Sequence, residues 1–333
     1  MKKFSRTLVV CVVMAALLVT PLFAQGQKDS AEANKVIAGV VFQEDQFFKT
    51  VSAGYQAAAK EYGYDILLAN TTMDQSKEND IVNTYLAQNV AGIAIAPMSN
   101  DISPATLGDA AEAGLKMVVC NINYDSFPFA AAAYTADNYS FCHQTGEAAA
   151  KYFKDNDLAG KTLKAGIIQF KTQFPEQANA RVTGFFDALT EAGINYEVVA
   201  DQDAWLQDMA VAKCGDMLAA HPEIDFVFAA NDGGTVGSVM AVENAGMKDT
   251  VVFGTDGSEQ IVSLLQDDSN ILQAVTGQDA FNIGYSSVES LIKYIEGEDF
   301  EGMGQTNIIA GTPLVRGDEA GLEKFLADMK SRM

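Results

Sequence analysis

The chain has 333 residues, of which 48% are hydrophobic, and its formal net charge is −22. This length exceeds the size at which one hydrophobic core usually keeps growing, so two domains are expected. The hydrophobic content excludes an intrinsically disordered chain. The strong acidity argues against nucleic acid or an anionic membrane surface as a partner, and it favours a protein that handles neutral or cationic small molecules.

The N-terminal segment has the pattern of a secretory signal sequence. Basic residues at positions 2, 3 and 6 precede an apolar run at 8–18, and a possible cleavage site ends at Ala24. A retained membrane anchor is the weaker alternative, because the apolar run is too short to span a bilayer comfortably. We predict a signal peptide at residues 1–24, a polar tether at 25–34, and a mature protein in the periplasm or another extracytoplasmic space.

Strands and helices are predicted to alternate along the rest of the chain. The unbroken apolar run at 36–42 indicates a strand that is buried on both faces, as in a parallel sheet. Further strands are predicted at 65–70, 92–96, 116–120, 164–169, 196–200, 226–229, 251–254, 272–276 and 308–309. Helices are predicted at 47–62, 76–88, 104–113, 140–153, 176–192, 206–220, 235–245, 281–296 and 319–330.

A short unit that ends in glycine closes four of these helices. A glutamate lies two or three residues before each glycine, and an apolar run follows. Glycine readily adopts the left-handed conformation that ends a helix, so each unit connects a helix to a following strand. The four glycines are Gly63, Gly114, Gly193 and Gly246. Since two precede residue 137 and two follow it, we predict an α/β protein with two similar doubly wound lobes, each a parallel sheet with helices on both faces.

Cysteine usage and motif spacing give no sign of a metal site or an enzyme. Cys120, Cys142 and Cys214 remain after the predicted processing, and their odd number without CxxC spacing favours buried thiols. The sequence contains no HExxH motif or EF-hand loop, and its glycine-rich stretch at 233–237 misses the spacing of a dinucleotide site. We predict no catalytic residue, no metal and no cofactor.

Four stretches, taken in order, resemble a known family. They are KVIAGVVFQEDQFF at 35–48, ANTTMDQSKENDIVNTYLAQNVAGIAIAP at 69–97, AAHPEIDFVFAANDGGTVGSVMAVENAG at 219–246 and VVFGTDGSEQ at 251–260. Together they resemble the ribose-binding family of periplasmic sugar-binding proteins, which are type I solute-binding components of ABC importers. The resemblance covers about residues 35–315. It implies two lobes, joined by three crossing segments, that close on one sugar like a hinge.

The resemblance also implies domain boundaries and partners. The crossings fall near 136–137, 278–279 and 306–311. The N-terminal lobe is then 35–136 plus 279–307, and the C-terminal lobe is 137–278 plus 308–333. The implied partners are a small sugar or polyol and the membrane permease of an ABC transporter, with no nucleic acid, and the implied protein is a monomer.

Ligand-binding residues follow from the resemblance position by position. Asp45 takes a hydrogen-bonding position, and Phe47 and Phe48 take the sugar-stacking position of the first lobe. The remaining implied ligands are Asn121, Arg181, Trp205, Asn231, Asp256 and Gln278. Their chemistry suits a sugar, because aromatic rings pack on its C–H faces while aspartate accepts, arginine donates, and asparagine and glutamine do both. A ring sandwiched between Phe48 and Trp205 is expected.

Departures from the family pattern bear on which ligand is bound. Ile122 stands where the family often has arginine, Ala96 replaces a commonly polar residue, and Phe42 occupies an otherwise small polar position. The pocket is therefore expected to be less polar than a ribose site. Another pentose, a hexose, a deoxysugar or a polyol remains possible.

Most of the implied ligands also have a purely structural alternative. Asp256 could serve a turn, Asn231 could cap a helix, Trp205 could cover a helix start, and Arg181 could be a solvated surface charge. The phenylalanine pair could belong to the core. The sequence alone leaves these alternatives open.

Three alternative functions differ in how well the sequence supports them. An NAD-dependent sugar dehydrogenase is disfavoured, because neither His143 nor His221 lies at a strand end beside a nucleophile. A transcription regulator of the same fold would need DNA-binding helices where the signal sequence lies, and the acidic charge opposes DNA binding. A chemoreceptor ligand-binding protein, or a receptor for a nucleoside or furanose-type signal, stays open because no sequence motif marks the partner surface.

Overall fold

The structure is a computed structural model that describes residues 35–332. The predicted signal peptide at 1–24 and polar tether at 25–34 lie outside the described residues. The strands are β1 (Val36–Val41), β2 (Asp65–Asn70), β3 (Gly92–Ile95), β4 (Lys116–Cys120), β5 (Ala133–Thr135), β6 (Leu163–Gln169), β7 (Tyr196–Asp203), β8 (Phe226–Ala229), β9 (Val251–Thr255), β10 (Leu272–Gly277), β11 (Thr306–Ile308) and β12 (Thr312–Val315). The helices are α1 (Gln46–Glu61), α2 (Gln75–Ala87), α3 (Ser103–Glu112), α4 (Asn138–Asp155), α5 (Pro175–Glu191), α6 (Gln207–Ala220), α7 (Asp232–Ala245), α8 (Glu259–Gln266), α9 (Ala280–Glu296) and α10 (Glu319–Arg332).

These strands form two six-stranded sheets. The order is β11-β5-β4-β3-β1-β2 in the first sheet and β12-β10-β9-β8-β6-β7 in the second. The earliest strand of each sheet pairs in parallel on both sides, β1 with β2 and β3, and β6 with β7 and β8. The predicted α/β architecture of two parallel-sheet lobes is confirmed.

Helices cover both faces of each sheet, because successive side chains of a buried strand point to opposite faces. In the first lobe, α1 and α9 pack on one face, and α2 and α3 pack on the other. In the second lobe, α4 and α5 cover one face, while α6, α7 and α8 cover the other. Each sheet therefore has a hydrophobic core on both sides, and its strand ends are left to form a site.

Three elements were missed by the sequence prediction, and one strand was misplaced. β5, α8 and β12 have no counterpart among the predicted elements, and the strand expected at 308–309 instead ends at Ile308. β12 also departs from the predicted parallel pattern, since it pairs antiparallel with β10 at the sheet edge. Pro313 lies in β12 and has no N–H to donate, which confines such a strand to an edge. β5 and β12 are too short to show a hydrophobic period.

The predicted helix ends and the buried thiols are confirmed. The φ angles of Gly63, Gly114, Gly193 and Gly246 are 71°, 99°, 74° and 65°, all left-handed. The three cysteines of residues 35–332 are buried and free. Among the helices that the structure describes, none combines the length and the hydropathy needed to cross a bilayer.

Close helix pairs hold each lobe together. In the first lobe, α1 and α9 approach so closely that a Cβ added at Gly284 would lie 2.1 Å from the carbonyl oxygen of Val51, and one at Gly54 would lie 2.2 Å from that of Phe281. In the second lobe, Gly146 and Gly184 bring α4 and α5 together in the same way. α9 follows β10 of the second sheet in sequence but packs against the first lobe.

Candidate functional site

A cavity lies between the two lobes, at the carboxyl ends of their parallel strands. Its volume is about 50 Å³, on a scale where one water needs about 10–15 Å³, so it suits one small ligand and not an oligosaccharide. All the ligand-binding residues that the resemblance implied line it: Asp45, Phe47, Phe48, Asn121, Arg181, Trp205, Asn231, Asp256 and Gln278. The fold therefore brings together side chains that are separated by more than 200 positions in sequence.

The loop after β1 supplies the first-lobe face of the cavity. Asp45 caps α1, because its Oδ1 accepts a hydrogen bond of 2.8 Å from the backbone N–H of Phe48, and the side-chain amide of Gln43 donates to its Oδ2. Phe48 is only 4% exposed, and its ring packs on those of Phe42 and Phe47 at 4.4 Å and 5.0 Å. Phe48 thus lines the cavity and also belongs to the hydrophobic core. The core position that the sequence left open is therefore correct for Phe48, and it is compatible with a contact to a ligand.

Asp256 supplies a carboxylate from the second lobe. It follows β9 with a left-handed φ of 69°, a conformation that aspartate tolerates better than most residues. Its Oδ2 accepts a hydrogen bond of 2.8 Å from the N–H of Asp232, and its Oδ1 accepts one from the side-chain amide of Gln278. These two bonds fix the carboxylate while leaving lone pairs for a ligand.

Arg181 is buried, so its interpretation as a solvated charge is wrong. It is 4% exposed on α5, and its guanidinium lies over the rings of Phe141 and Phe170 at 4.8 Å and 5.0 Å. Its Nε donates to Asn138 at 2.8 Å, and its Nη1 donates to the carbonyl of Ala230 at 2.7 Å. The same Nη1 lies 3.9 Å from Asp256 Oδ2. The cation is held rigidly before any ligand arrives.

Asn231 caps α7, as one interpretation of the sequence predicted. Its Oδ1 accepts a hydrogen bond of 3.1 Å from the N–H of Gly234 at the start of α7, and its Nδ2 donates to the carbonyl of Trp205 at 2.8 Å. The Asn231 amide therefore orients the Trp205 backbone while lining the cavity.

Two buried polar atoms of the cavity wall have no hydrogen-bond partner among residues 35–332. They are the indole N–H of Trp205 and Oε1 of Gln278. Buried polar groups are almost always hydrogen-bonded in proteins. One donor and one acceptor are therefore ready for ligand hydroxyls.

Contacts across the cleft involve residues that the sequence did not indicate. The side-chain amide of Gln177 donates to the carbonyl of Asn121 at 3.0 Å, and the ring of Phe42 lies 5.4 Å from that of Phe174. The other cavity residues missed by sequence reasoning are Gln43, Phe170 and Gln173. Phe170 follows β6 as Asp45 follows β1, so the rule that strand ends line the site would have found it.

Burial sets the protonation of the acidic groups around the cavity. Burial raises the pKa of the Asp45 carboxyl and nearby Asp256 raises it further, against the lowering effect of the Phe48 N–H and the Gln43 amide. Burial raises the pKa of Asp232 to about 8, with Asp256 and Asp45 adding to the shift. Carboxyl groups thus crowd one another here. Within residues 35–332, no group of three or more histidine, cysteine or acidic side chains could hold a metal ion.

The family follows from comparison with known proteins. The sequence model of the periplasmic binding protein domain matches residues 38–299, which is well over half of the chain. The chain belongs to this family. As a periplasmic binding protein it is a solute-binding protein and not an enzyme, which removes the dehydrogenase alternative.

Relatives and solved structures of the family resemble the chain along most of its length. The ABC transporter periplasmic-binding protein YphF of Escherichia coli (strain K12) is 28% identical over 288 residues, covering 85% of each chain. The D-apiose import binding protein of Actinobacillus succinogenes is 26% identical over 265 residues, covering 79% of this chain and 82% of the relative. An ABC transporter solute binding protein from Bacillus halodurans C-125 with bound myo-inositol superimposes with a TM-score of 0.77 at 20% identity, covering 90% and 99% of the two chains.

We expect Asp232→Asn to change how the stability of this periplasmic binding protein depends on pH. The folded protein holds the Asp232 proton up to a pH of about 8, whereas the unfolded chain releases it near 3.8. The stability that this group contributes is therefore complete below pH 4. It falls by about 1.4 kcal/mol per pH unit as the pH rises from 4 to 8, and it is lost above pH 8. Asparagine does not titrate, so the advantage of the variant over the wild type in midpoint of unfolding should be larger at pH 8.5 than at pH 5.

Asp208→Asn is the matched control. Asp208 lies in the first turn of α6 as Asp232 lies in the first turn of α7, but Asp208 is exposed whereas Asp232 is buried. Denaturant unfolding at both pH values measures the effect. An advantage of Asp232→Asn that is equal at pH 5 and pH 8.5 would contradict the assignment of a raised pKa.

Proposed function

We propose that this protein captures one monosaccharide or polyol between its lobes and delivers it to an ABC importer. The observation that carries the proposal is a cavity of the described residues where aromatic rings of both lobes meet aspartates, an arginine and two unpaired polar atoms. Such a lining suits a ring with C–H faces and several hydroxyls. A relative that imports D-apiose and a structural neighbour with bound myo-inositol support this ligand class.

The test is calorimetric titration of the purified protein with pentoses, hexoses, deoxysugars and polyols. We expect one compound to bind with a Kd at or below the micromolar range without any added metal or cofactor. Trp205→Ala should weaken that binding, because the indole supplies both stacking area and an unpaired N–H. If no compound of the panel binds, or if binding is indifferent to Trp205, the proposed site is wrong.

The proposed hinge consists of three segments, near 136–137, 278–279 and 306–311. The proposed lobes are 35–136 plus 279–307 and 137–278 plus 308–333, and the distribution of β1–β5 with β11 and of β6–β10 with β12 over two sheets supports them. A ligand that touches both lobes selects the closed arrangement. Small-angle scattering should therefore give a smaller radius of gyration with the bound sugar, and an unchanged profile at saturation would count against a hinged clamp.

We propose that the protein acts as a monomer in the periplasm and that it docks on a membrane permease. The basic and apolar pattern of residues 1–24 supports export, and the family match supports the periplasm. Mass spectrometry of the protein from its native host should find a chain that begins after Ala24. Retention of residues 1–24 would contradict this part of the proposal.

A further inference from the structure

The charges that line the cavity do not balance. Its ionisable lining residues are Asp45, Asp256 and Arg181, so carboxylates outnumber cations. Arg181 lies 3.9 Å from Asp256 on its own lobe. Asp232, whose N–H donates to Asp256, adds a third carboxyl group just behind the wall.

Within residues 35–332, Asp45 is the lining carboxylate that forms no ion pair with a cationic side chain. Its hydrogen bonds come from the backbone N–H of Phe48 and the side-chain amide of Gln43, and neither donor is charged. The charged group that acts on it across the cleft is Asp256, which repels it. Lys49, one turn further along α1, instead lies 3.9 Å from the exposed Glu44 at the surface. A desolvated carboxylate that lacks a counterion is costly, and a cationic ligand would remove that cost.

The rest of the lining also suits a cation. Six aromatic rings surround the cavity: Phe42, Phe47, Phe48, Phe170, Phe174 and Trp205. Aromatic faces attract ammonium groups, and tryptophan does so most strongly. Gln278 is 4% exposed, and its Oε1 is a buried acceptor without a partner at the cavity wall. An ammonium group has three donors and no acceptor, so it can pair with a carboxylate and still donate to other acceptors of the cavity wall.

We infer that the ligand carries a protonated amino group in addition to its hydroxyls, as in an amino sugar or an aminocyclitol, and that Asp45 holds this group. The inference rests on the proposed function, since it assumes that the ligand occupies this cavity. Arg181, Asp256 and the Trp205 N–H then serve the hydroxyls of the same ring. Asp45 acts as the residue that selects the charged ligand over its neutral parent.

Calorimetry with matched ligand pairs tests the inference. The pairs are D-glucosamine and D-glucose, D-galactosamine and D-galactose, and scyllo-inosamine and scyllo-inositol, with the neutral N-acetyl derivatives of the two amino sugars as size controls. We expect at least one amine to bind ten times more tightly than its hydroxyl parent. Where the set includes its N-acetyl derivative, the amine should also bind ten times more tightly than that derivative. Asp45→Asn should weaken binding of that amine at least tenfold more than it weakens binding of the hydroxyl parent.

The variant keeps the fold, because asparagine caps helices as well as aspartate does. Glu44→Gln removes an adjacent exposed charge outside the cavity and should leave the amine preference unchanged. If the parents bind as tightly as the amines, or if Asp45→Asn spares the preference or weakens both ligands alike, the inference is wrong while sugar binding stands. If neither series nor the wider sugar panel binds, the proposed function fails and the inference falls with it.

Discussion

Asp256→Ala is expected to weaken ligand binding between tenfold and a few hundredfold. The change removes acceptors for the ligand, and it leaves the Asp232 N–H and the Gln278 amide without their partner. The affinity falls because each ligand hydroxyl that loses its acceptor in the cavity costs about 1–3 kcal/mol, and about 1.4 kcal/mol corresponds to tenfold in Kd. Arg181 keeps its bonds to Asn138 and Ala230 in this variant, so the arginine is not left unpaired.

The matched variant is Asp256→Asn. Asparagine tolerates the left-handed φ of 69° and has nearly the same shape, so it removes the charge while sparing the backbone, whereas alanine also adds strain. Calorimetry with the best ligand of the sugar panel measures binding, and thermal unfolding measures the fold. A Kd that changes less than threefold in the alanine variant would remove Asp256 from the binding site.

Gly284→Ala is expected to cause a large loss of stability in the first lobe. The new Cβ would lie 2.1 Å from the carbonyl oxygen of Val51, and this neighbour is backbone of α1 that no rotamer change can move. α1 and α9 must therefore separate, at a cost of about 1–3 kcal/mol or more. Thermal unfolding should show a midpoint that is lower by several degrees.

Gly215→Ala provides the control, because Gly215 lies within α6 and a Cβ there would meet nothing within 4 Å. Alanine is favoured over glycine in an open helical position by about 0.5–1 kcal/mol, so this variant should be slightly stabilised. The same methyl group is thus expected to have opposite effects at the two positions. Equal midpoints for the two variants would contradict the close packing of α1 on α9.

The candidate site could be anticipated as far as it depends on strand ends. Asp45, Asn121, Asn231 and Asp256 follow β1, β4, β8 and β9, and parallel strands bring such positions to one edge of a sheet. Phe174 and Gln177 could not be anticipated in this way. They approach the cavity because one lobe contacts the other across the cleft, and that contact depends on the relative placement of the lobes.

The charge state of the candidate site could not be predicted from the sequence either. Reading residues along the chain identified Asp45, Asp256 and Arg181, but it did not show how far each carboxylate lies from the cation. Asp232 drew no attention as a titrating group, yet its pKa is raised to about 8 by burial and by two other carboxyls. Burial and distances of a few ångströms set these properties, and neither can be read from residue types alone.

The sequence by itself determined the α/β class and the two lobes, because a buried parallel strand is a continuous apolar run and glycine is the residue that most readily ends a helix in the left-handed conformation. Its resemblance to the family predicted many of the residues that line the candidate cavity. Tertiary structure alone decided the short strands β5 and β12, the closeness of α1 to α9, and the pairing of charges within the cavity. A strand of three or four residues, such as β5 or β12, has too few positions to show a period, so only its neighbours in the sheet stabilise it as a strand. Likewise, the cost of a charge depends on what surrounds it in space, and the chain brings those surroundings together only when it folds.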